Sequence, residues 1–129
     1  MTNALILTDD AEFARLLSGC WQMERQLPGL SVVTTELWKS GGAVHCDLVV
    51  VGPIKQQHPA EILATIAPST AVILCAPSDQ QELALLRKRY PRLLHVPLRE
   101  DWAQVVLLVA GESLRRTEAL KLVKMAEQR

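Results

Sequence analysis

Short apolar runs alternate with longer amphipathic segments along most of this chain. Apolar runs that are continuous, instead of alternating with polar residues, are typical of strands that are buried on both faces of a sheet. The β-rich segments are residues 5–8, 30–35, 48–51, 71–75 and 93–96. Their alternation with helical segments predicts an α/β domain whose parallel sheet is covered by helices on both faces.

Polar capping residues mark where the helices begin. Asp9 or Asp10 can cap the first helix, because a carboxylate can accept a hydrogen bond from a free amide of the first turn. His58 precedes a proline that suits the first position of a helix, and Ser78 with Gln81 forms a capping-box pattern. The apolar positions with helical spacing are Phe13, Leu16, Leu17 and Cys20 in the first helix, and Leu83, Leu86 and Tyr90 in the helix after Ser78.

The C-terminal segment, residues 101–129, contains no proline and a single glycine. A helix of that length would extend about 40 Å, whereas a five-residue strand covers only about 17 Å. We therefore expect an α/β domain over residues 1–112, with residues 113–129 extending the last helix beyond the domain as a linker toward a downstream domain. A solvated helical tail would have the same pattern, and the sequence leaves both alternatives open.

The last helix carries two apolar stripes. One stripe, formed by Trp102, Val105 or Val106, and Val109, is sufficient to dock the helix onto the sheet. The second stripe consists of Ala103, Leu107, Ala110 and Leu114. Since a surface helix with two apolar faces normally has a second partner, we predict that this stripe forms a homodimer interface. The alternative is that it packs beneath a neighbouring helix of the same domain.

Composition narrows the class of protein. The formal net charge is zero, so we expect neither nucleic acid nor a membrane surface as a partner. Three cysteines without a CxxC pair suit a cytoplasmic location. The sequence contains residue types that can bind metal ions, but not at the spacing of a known metal site: His45, Cys46, His58, Cys75 and His95. Phosphate-binding glycine motifs are absent from the sequence. We therefore expect no metal site and no cofactor.

The residues that follow the first and third apolar runs resemble the receiver domains of bacterial response regulators. Receivers place two acidic residues after the first strand to hold Mg²⁺, and Asp9 and Asp10 match them. Receivers place the phosphoacceptor aspartate after the third strand, where this chain has Gly52. A glycine offers no carboxylate, so the resemblance implies a receiver fold that cannot be phosphorylated at this position.

The other two receiver motifs have also changed. Receivers place a Thr or Ser hydroxyl after the fourth strand, where this chain has Cys75. The usual small residue follows it, here Ala76. Receivers place a lysine after the fifth strand, directly before a proline. This chain has Val96 and Pro97 at these positions. A thiol is a weak hydrogen-bond donor, and valine offers no cation to pair with an acyl phosphate. We therefore interpret the two aspartates as a helix cap in preference to a magnesium site.

The resemblance implies a flavodoxin-like, five-stranded parallel sheet with strand order 2-1-3-4-5 and a long C-terminal helix. It also implies a pseudo-receiver of a two-component system that is not an enzyme, dimerises through its last helix and works with a signalling output or kinase domain. The final segment is similar to linkers that lead into histidine-kinase dimerisation helices.

The sequence leaves two other hypotheses open. One is a small-molecule or redox sensor that binds its ligand in the crevice at the carboxyl ends of the strands. That crevice would be lined by Thr8, Gly52, Pro53, Cys75, Ala76 and Pro97. The other is a receiver that is still active, with Asp9 or Asp10 as an unorthodox phosphoryl acceptor.

Overall fold

The computed structural model describes residues 3–41, 46–55, 58–76 and 79–128. The strands are β1 (Ala4–Leu7), β2 (Leu30–Val33), β3 (Leu48–Val51), β4 (Ala71–Leu74) and β5 (Leu93–His95). The helices are α1 (Ala11–Gln22), α2 (Thr35–Gly41), α3 (Pro59–Leu63), α4 (Gln80–Arg89) and α5 (Trp102–Glu127). All strand pairs are parallel, in the order β2-β1-β3-β4-β5, so the predicted flavodoxin-like α/β fold is confirmed.

Each central strand is buried along its whole length, because helices cover both faces of the sheet. Successive strand side chains point to opposite faces, which divides the core in two. Leu5, Leu7, Val49 and Val51 belong to the core beneath α2, α3 and α4. The residues between them in sequence belong to the core beneath α1 and α5. The continuous apolar runs of the sequence therefore reflect two-sided burial.

The helix starts follow the predicted capping chemistry with one difference. Asp10 caps α1 and His58 caps α3, both as predicted. The cap of α4 is Asp79, whose Oδ1 accepts a hydrogen bond of 2.7 Å from the amide of Glu82. The predicted cap of that helix, Ser78, lies outside the described residues.

The buried face of α1 differs from the predicted one. Phe13 and Leu17 are buried as expected, together with Trp21. Leu16 is exposed and Cys20 is only half-buried, because the stripe that faces the sheet repeats every four residues from Phe13.

Helix α5 is 26 residues long, as its lack of helix breakers predicts. The prediction that Ala110 and Leu114 belong to a free face is wrong, since both are buried in the core beneath the helix. The reason is that α5 packs against α1 as well as against the sheet, so a wider stripe is covered. Ala103 and Leu107 are half-buried. None of the helices in the described parts of the chain is long and apolar enough to cross a bilayer.

Candidate functional site

The carboxyl ends of the strands bring most of the predicted site residues side by side. Parallel hydrogen bonding continues one residue past each strand: the amide of Gly52 donates to Leu7 O at 3.0 Å, and that of Cys75 to Val51 O at 2.7 Å. The amide of Val96 donates to Leu74 O at 2.9 Å. Gly52, Cys75 and Val96 therefore lie next to each other at one edge of the sheet, as the predicted strand order requires.

Phe13 fills the space beside Gly52. A Cβ atom added to Gly52 would lie 2.5 Å from Cε1 and 2.6 Å from Cδ1 of the Phe13 ring, and 2.8 Å from Oγ1 of Thr8. The backbone of Gly52 is not in the left-handed region, so it is the lack of space that requires glycine here. No side chain fits at this position unless the phenyl ring moves.

The Phe13 ring is held in place by packing. It is 4% exposed and stacks on the indole of Trp102, with ring centroids 4.6 Å apart and planes 11° from parallel. Cys75 and Val96 belong to the same core cluster. We call Phe13, Cys75, Val96 and Trp102 the apolar plug. It occupies the part of the edge where a receiver carries its reactive groups.

The contacts of Phe13 with Gly52 and with Trp102 could not be predicted from the sequence. The sequence pattern places Phe13 only on the buried face of α1, and Trp102 only in the docking stripe of α5. Phe13 is the one phenylalanine of the chain, and a glycine in place of a larger residue leaves a volume that another side chain must fill. The glycine at position 52 and the single phenylalanine are the features of the sequence that point to this contact. They do not identify which side chain fills the volume.

The two thiols at this sheet are poor nucleophiles. Burial raises the pKa of Cys75 to about 12, and it also raises the pKa of Cys46, with help from the nearby Asp47 charge. Since the thiolate is the reactive form, both side chains stay protonated at neutral pH. They behave as small apolar residues of the core.

Asp9 ties three segments together. Its Oδ1 accepts hydrogen bonds from the amide and the hydroxyl of Thr35, at 3.0 and 2.9 Å. Its Oδ2 accepts from the amide of Lys55 at 2.9 Å. Thr35 is the first residue of α2, so its amide would otherwise be one of the unpaired donors of that helix. Asp9 thus joins the end of β1 to the start of α2 and to the connection after β3.

Asp10 has the second capping role. Its Oδ1 accepts a hydrogen bond of 3.0 Å from the amide of Phe13, while its own amide donates to Oγ1 of Thr8. Both carboxylates of the acidic pair therefore bind backbone amides. Within the described ranges, no group of three or more His, Cys, Asp or Glu side chains is placed to hold a metal ion.

The hydrogen bonds to Asp9 make stability depend on pH. Burial raises the pKa of this carboxyl, but the hydrogen bonds from Lys55 and Thr35 outweigh it, so the pKa lies below its ordinary value of 3.8. The carboxylate therefore stabilises the fold fully above its unfolded-state pKa, and this contribution is lost as the pH falls through the lower folded-state pKa.

We expect Asp9→Asn to lower the free energy of unfolding at pH 7 by about 1–3 kcal/mol, because an amide cannot accept all of these hydrogen bonds. The variant should also lose less stability than the wild type as the pH falls below about 4, in denaturant titrations at each pH. Asp101→Asn is the control, because the Asp101 side chain makes no capping hydrogen bond. Parallel pH curves for Asp9→Asn and the wild type would contradict this role.

Two shallow pockets flank the acidic pair, with volumes of about 420 and 410 Å³. The first is lined by Asp9, Asp10, Ala11, Glu12, Pro53, Ile54 and Lys55. The second is lined by Thr8, Asp9, Asp10, Ala11, Ala14, Arg15, Ser18, Val32 and Thr34. Of the residues predicted to line a ligand crevice, Pro53 and Thr8 face these pockets. Gly52, Cys75 and Ala76 are buried, and Pro97 is exposed.

A third cavity lies along α5. This groove of about 410 Å³ separates α5 from the segment that follows α1. It is lined by Glu24, Gln26, Leu27, Pro28, Gln104, Leu107, Leu108, Gly111, Leu114, Arg115 and Glu118. Two residues of the predicted dimer stripe, Leu107 and Leu114, face the groove, and the neighbouring Leu108 is 73% exposed. The accessible apolar surface along α5 therefore lies in this groove, shifted around the helix from the predicted stripe.

The end of α5 adds further apolar surface. Every residue from 118 to 128 is exposed. The large apolar side chains among them are Leu120, Leu122, Val123 and Met125. Uncovered apolar residues in this number on one helix are typical of an interaction surface.

Compared with known proteins, the chain matches no protein-family model and no curated protein sequence significantly.

Proposed function

We propose that this chain is a non-catalytic pseudo-receiver, an interaction module of a two-component signalling pathway that is not phosphorylated on aspartate and acts by self-association through α5. The observation that carries the proposal is the Phe13 ring beside Gly52, at the distances given above. A receiver needs a carboxylate at that position, and here the space for one belongs to the core.

The remaining plug residues support the same conclusion. Phosphoryl transfer depends on positioned charges that stabilise the transferring group. Val96 contributes no cation and is 4% exposed, and Cys75 is a buried, protonated thiol. Both carboxylate oxygens of Asp9 and one carboxylate oxygen of Asp10 already accept hydrogen bonds from backbone amides. Each change replaces a catalytic role with a structural one.

The plug also connects the sheet edge with α5. Trp102 is the first residue of α5, and its indole stacks on Phe13. A shift of Phe13 would therefore act directly on the start of the helix that offers the exposed groove. A twofold dimer formed there would bury the same groove residues from both copies.

Leu108→Asp is expected to shift the protein from dimer to monomer in sedimentation velocity, weakening association by at least about tenfold, because each copy would bury a charge in place of an apolar side chain. Acetyl phosphate with Mg²⁺ should leave the sedimentation and the mass of the wild type unchanged. The matched control is Leu85→Asp, since Leu85 is 67% exposed on α4. A monomeric wild type, or a phosphoryl adduct on aspartate, would refute the proposal.

The sensor hypothesis has one observation in its favour, the pair of pockets beside Asp9 and Asp10. Its redox form finds no support at Cys46 or Cys75, because burial keeps both thiols protonated. A small molecule that raises the melting temperature of the wild type, with a smaller effect on Asp9→Asn, would favour this second candidate.

A further inference from the structure

From Ser113 onward, α5 docks onto the domain mainly through polar contacts, and Leu114 is the last residue of the helix in a core cluster of the described chain. Over its first turns the buried side of the helix is apolar, with Val106 and Ala110 fully buried. One turn later that side carries Ser113 and Thr117, which are also buried. Lys121 continues the same line, since positions four apart lie almost above one another on a helix. Polar residues in such a stripe require partners, and the domain provides them.

Arg92 binds the first two of these residues. It directly precedes β5, and its guanidinium donates from Nη1 to Oγ1 of Thr117 and from Nη2 to the carbonyl of Ser113, both at 2.8 Å. The Thr117 hydroxyl in turn donates to the same Ser113 carbonyl at 3.0 Å. A planar guanidinium can bridge two acceptors one helical turn apart, whereas a lysine offers a single point charge.

Asp47 binds the third residue. It directly precedes β3, and its Oδ1 lies 2.9 Å from Nζ of Lys121. Its Oδ2 accepts a hydrogen bond of 3.0 Å from the amide of Asn3, which orients the carboxylate from the start of β1. The amino ends of the sheet therefore reach α5 at two points, through Arg92 and through Asp47.

We call Arg92, Asp47, Ser113, Thr117 and Lys121 the polar clasp. We propose that the polar clasp is a releasable device that sets the direction in which residues 122–127 leave the domain. Beyond Lys121, residues 122–128 are exposed, and no core cluster in the described part of the chain includes them. The clasp is therefore the last contact that holds this end of the helix.

Undocking of this end of α5 is favoured because the clasp contains no apolar side chain. Its contacts are hydrogen bonds and one ion pair with a half-exposed lysine, and such contacts contribute less than burial of an apolar stripe. Arg116, which directly precedes Thr117 on α5, repels Arg92, and this repulsion opposes the attraction between Arg92 and Asp47. Because local openings occur first where apolar contacts are few, this end of α5 should undock before the rest of the domain unfolds. Any role of the clasp in self-association rests on the proposed function; its hold on α5 does not.

Hydrogen exchange measured by mass spectrometry tests the clasp directly. Arg92→Met is expected to speed exchange of the amides of residues 114–121 about tenfold, and Arg92→Lys should do nearly the same because the two-pronged contact is lost. Lys121→Met should have a smaller effect, roughly twofold, since its ion pair is partly solvated. The exposed residues Lys88 and Lys124 provide controls: Lys88→Met and Lys124→Met should leave exchange in α5 unchanged.

The distance between a label on α4 and a label near the end of α5 tests the direction in which α5 leaves the domain. Spin labels on Leu85→Cys and Lys124→Cys, in a Cys20→Ser background, should give a narrow distance distribution that broadens with Arg92→Met. If Arg92→Met prevents folding, Thr117→Val removes the acceptor hydroxyl and keeps the side-chain shape.

The outcomes separate the clasp from the proposed function. If Arg92→Met also speeds the exchange of residues 114–121 in the Leu108→Asp background, the clasp is supported even for a monomer. Unchanged exchange and an unchanged distance distribution in folded Arg92→Met or Thr117→Val would overturn it, even if the protein dimerises.

Discussion

Gly52→Asp is expected to destabilise the domain by roughly 3–5 kcal/mol instead of creating a phosphorylation site. The new side chain would collide with the Phe13 ring and with Oγ1 of Thr8, and its charge would be buried against the apolar plug. The ring has little room to move, because it stacks on Trp102. Urea denaturation measures the loss, and mass spectrometry after incubation with acetyl phosphate and Mg²⁺ should detect no adduct.

Smaller substitutions separate the contribution of space from that of charge. Gly52→Ala adds only the Cβ atom and should still cost about 1–3 kcal/mol, by overpacking alone. Gly19→Ala is the matched control, since a Cβ atom at Gly19 in α1 meets no atom within 4 Å. That change should be neutral or stabilise by up to about 1 kcal/mol. A Gly52→Ala variant as stable as the wild type would show that Phe13 does not restrict this position.

Phe13→Ala is expected to cost about 3–5 kcal/mol, because it opens a cavity in the plug and removes the stacking partner of Trp102. The same cavity should accept a side chain at position 52. In the Phe13→Ala background, Gly52→Ala should therefore cost less than it does in the wild type, by about 1 kcal/mol or more.

The double-mutant cycle isolates this coupling. Leu16→Ala on the same helix is the control, because Leu16 is exposed, and its effect should add to that of Gly52→Ala within experimental error. If Phe13→Ala and Gly52→Ala were also additive, the two positions would not compete for the same space. The explanation of the glycine offered here would then have to be abandoned.

The plug and the polar clasp lie at opposite ends of the sheet, and both act on α5. Trp102 fixes the start of the helix at the carboxyl edge, whereas Arg92 and Asp47 hold it near the amino edge. The helix is therefore anchored at its start by Trp102 and about 11–19 residues later by the clasp residues, with apolar packing between them. Such an arrangement allows the far end to undock while the plug stays closed.

Much of the fold could be predicted because its determinants are local. Continuous apolar runs identified the five strands, and Asp10 and His58 identified two helix starts, since a cap acts on amides within its own first turn. The position of Gly52 was also predictable from its place after β3. The dimer interface and the signalling role remain predictions.

The candidate site was less predictable because its contacts are distant in sequence. The sequence offers Asp9 and Asp10 as alternative caps of α1, yet the partners of Asp9, Thr35 and Lys55, lie 26 and 46 residues away. For α5, the period of the apolar residues allowed two stripes, and only the packing of α5 against α1 and the sheet decided that Ala110 and Leu114 are covered. Nothing in the sequence around Arg92 pointed to Ser113 and Thr117.

The amino-acid sequence by itself determined a parallel α/β sheet, a long final helix and a glycine directly after the third strand, because hydrophobic period and residue type act within a few residues. Only the tertiary structure decided that Phe13 fills the empty space, that Asp9 serves α2, and that Arg92 and Asp47 hold the end of α5. These choices depend on which side chains the folded chain brings within contact distance. Close packing then decides which side chain fills each volume, and the folded chain decides which groups pair with the buried polar ones.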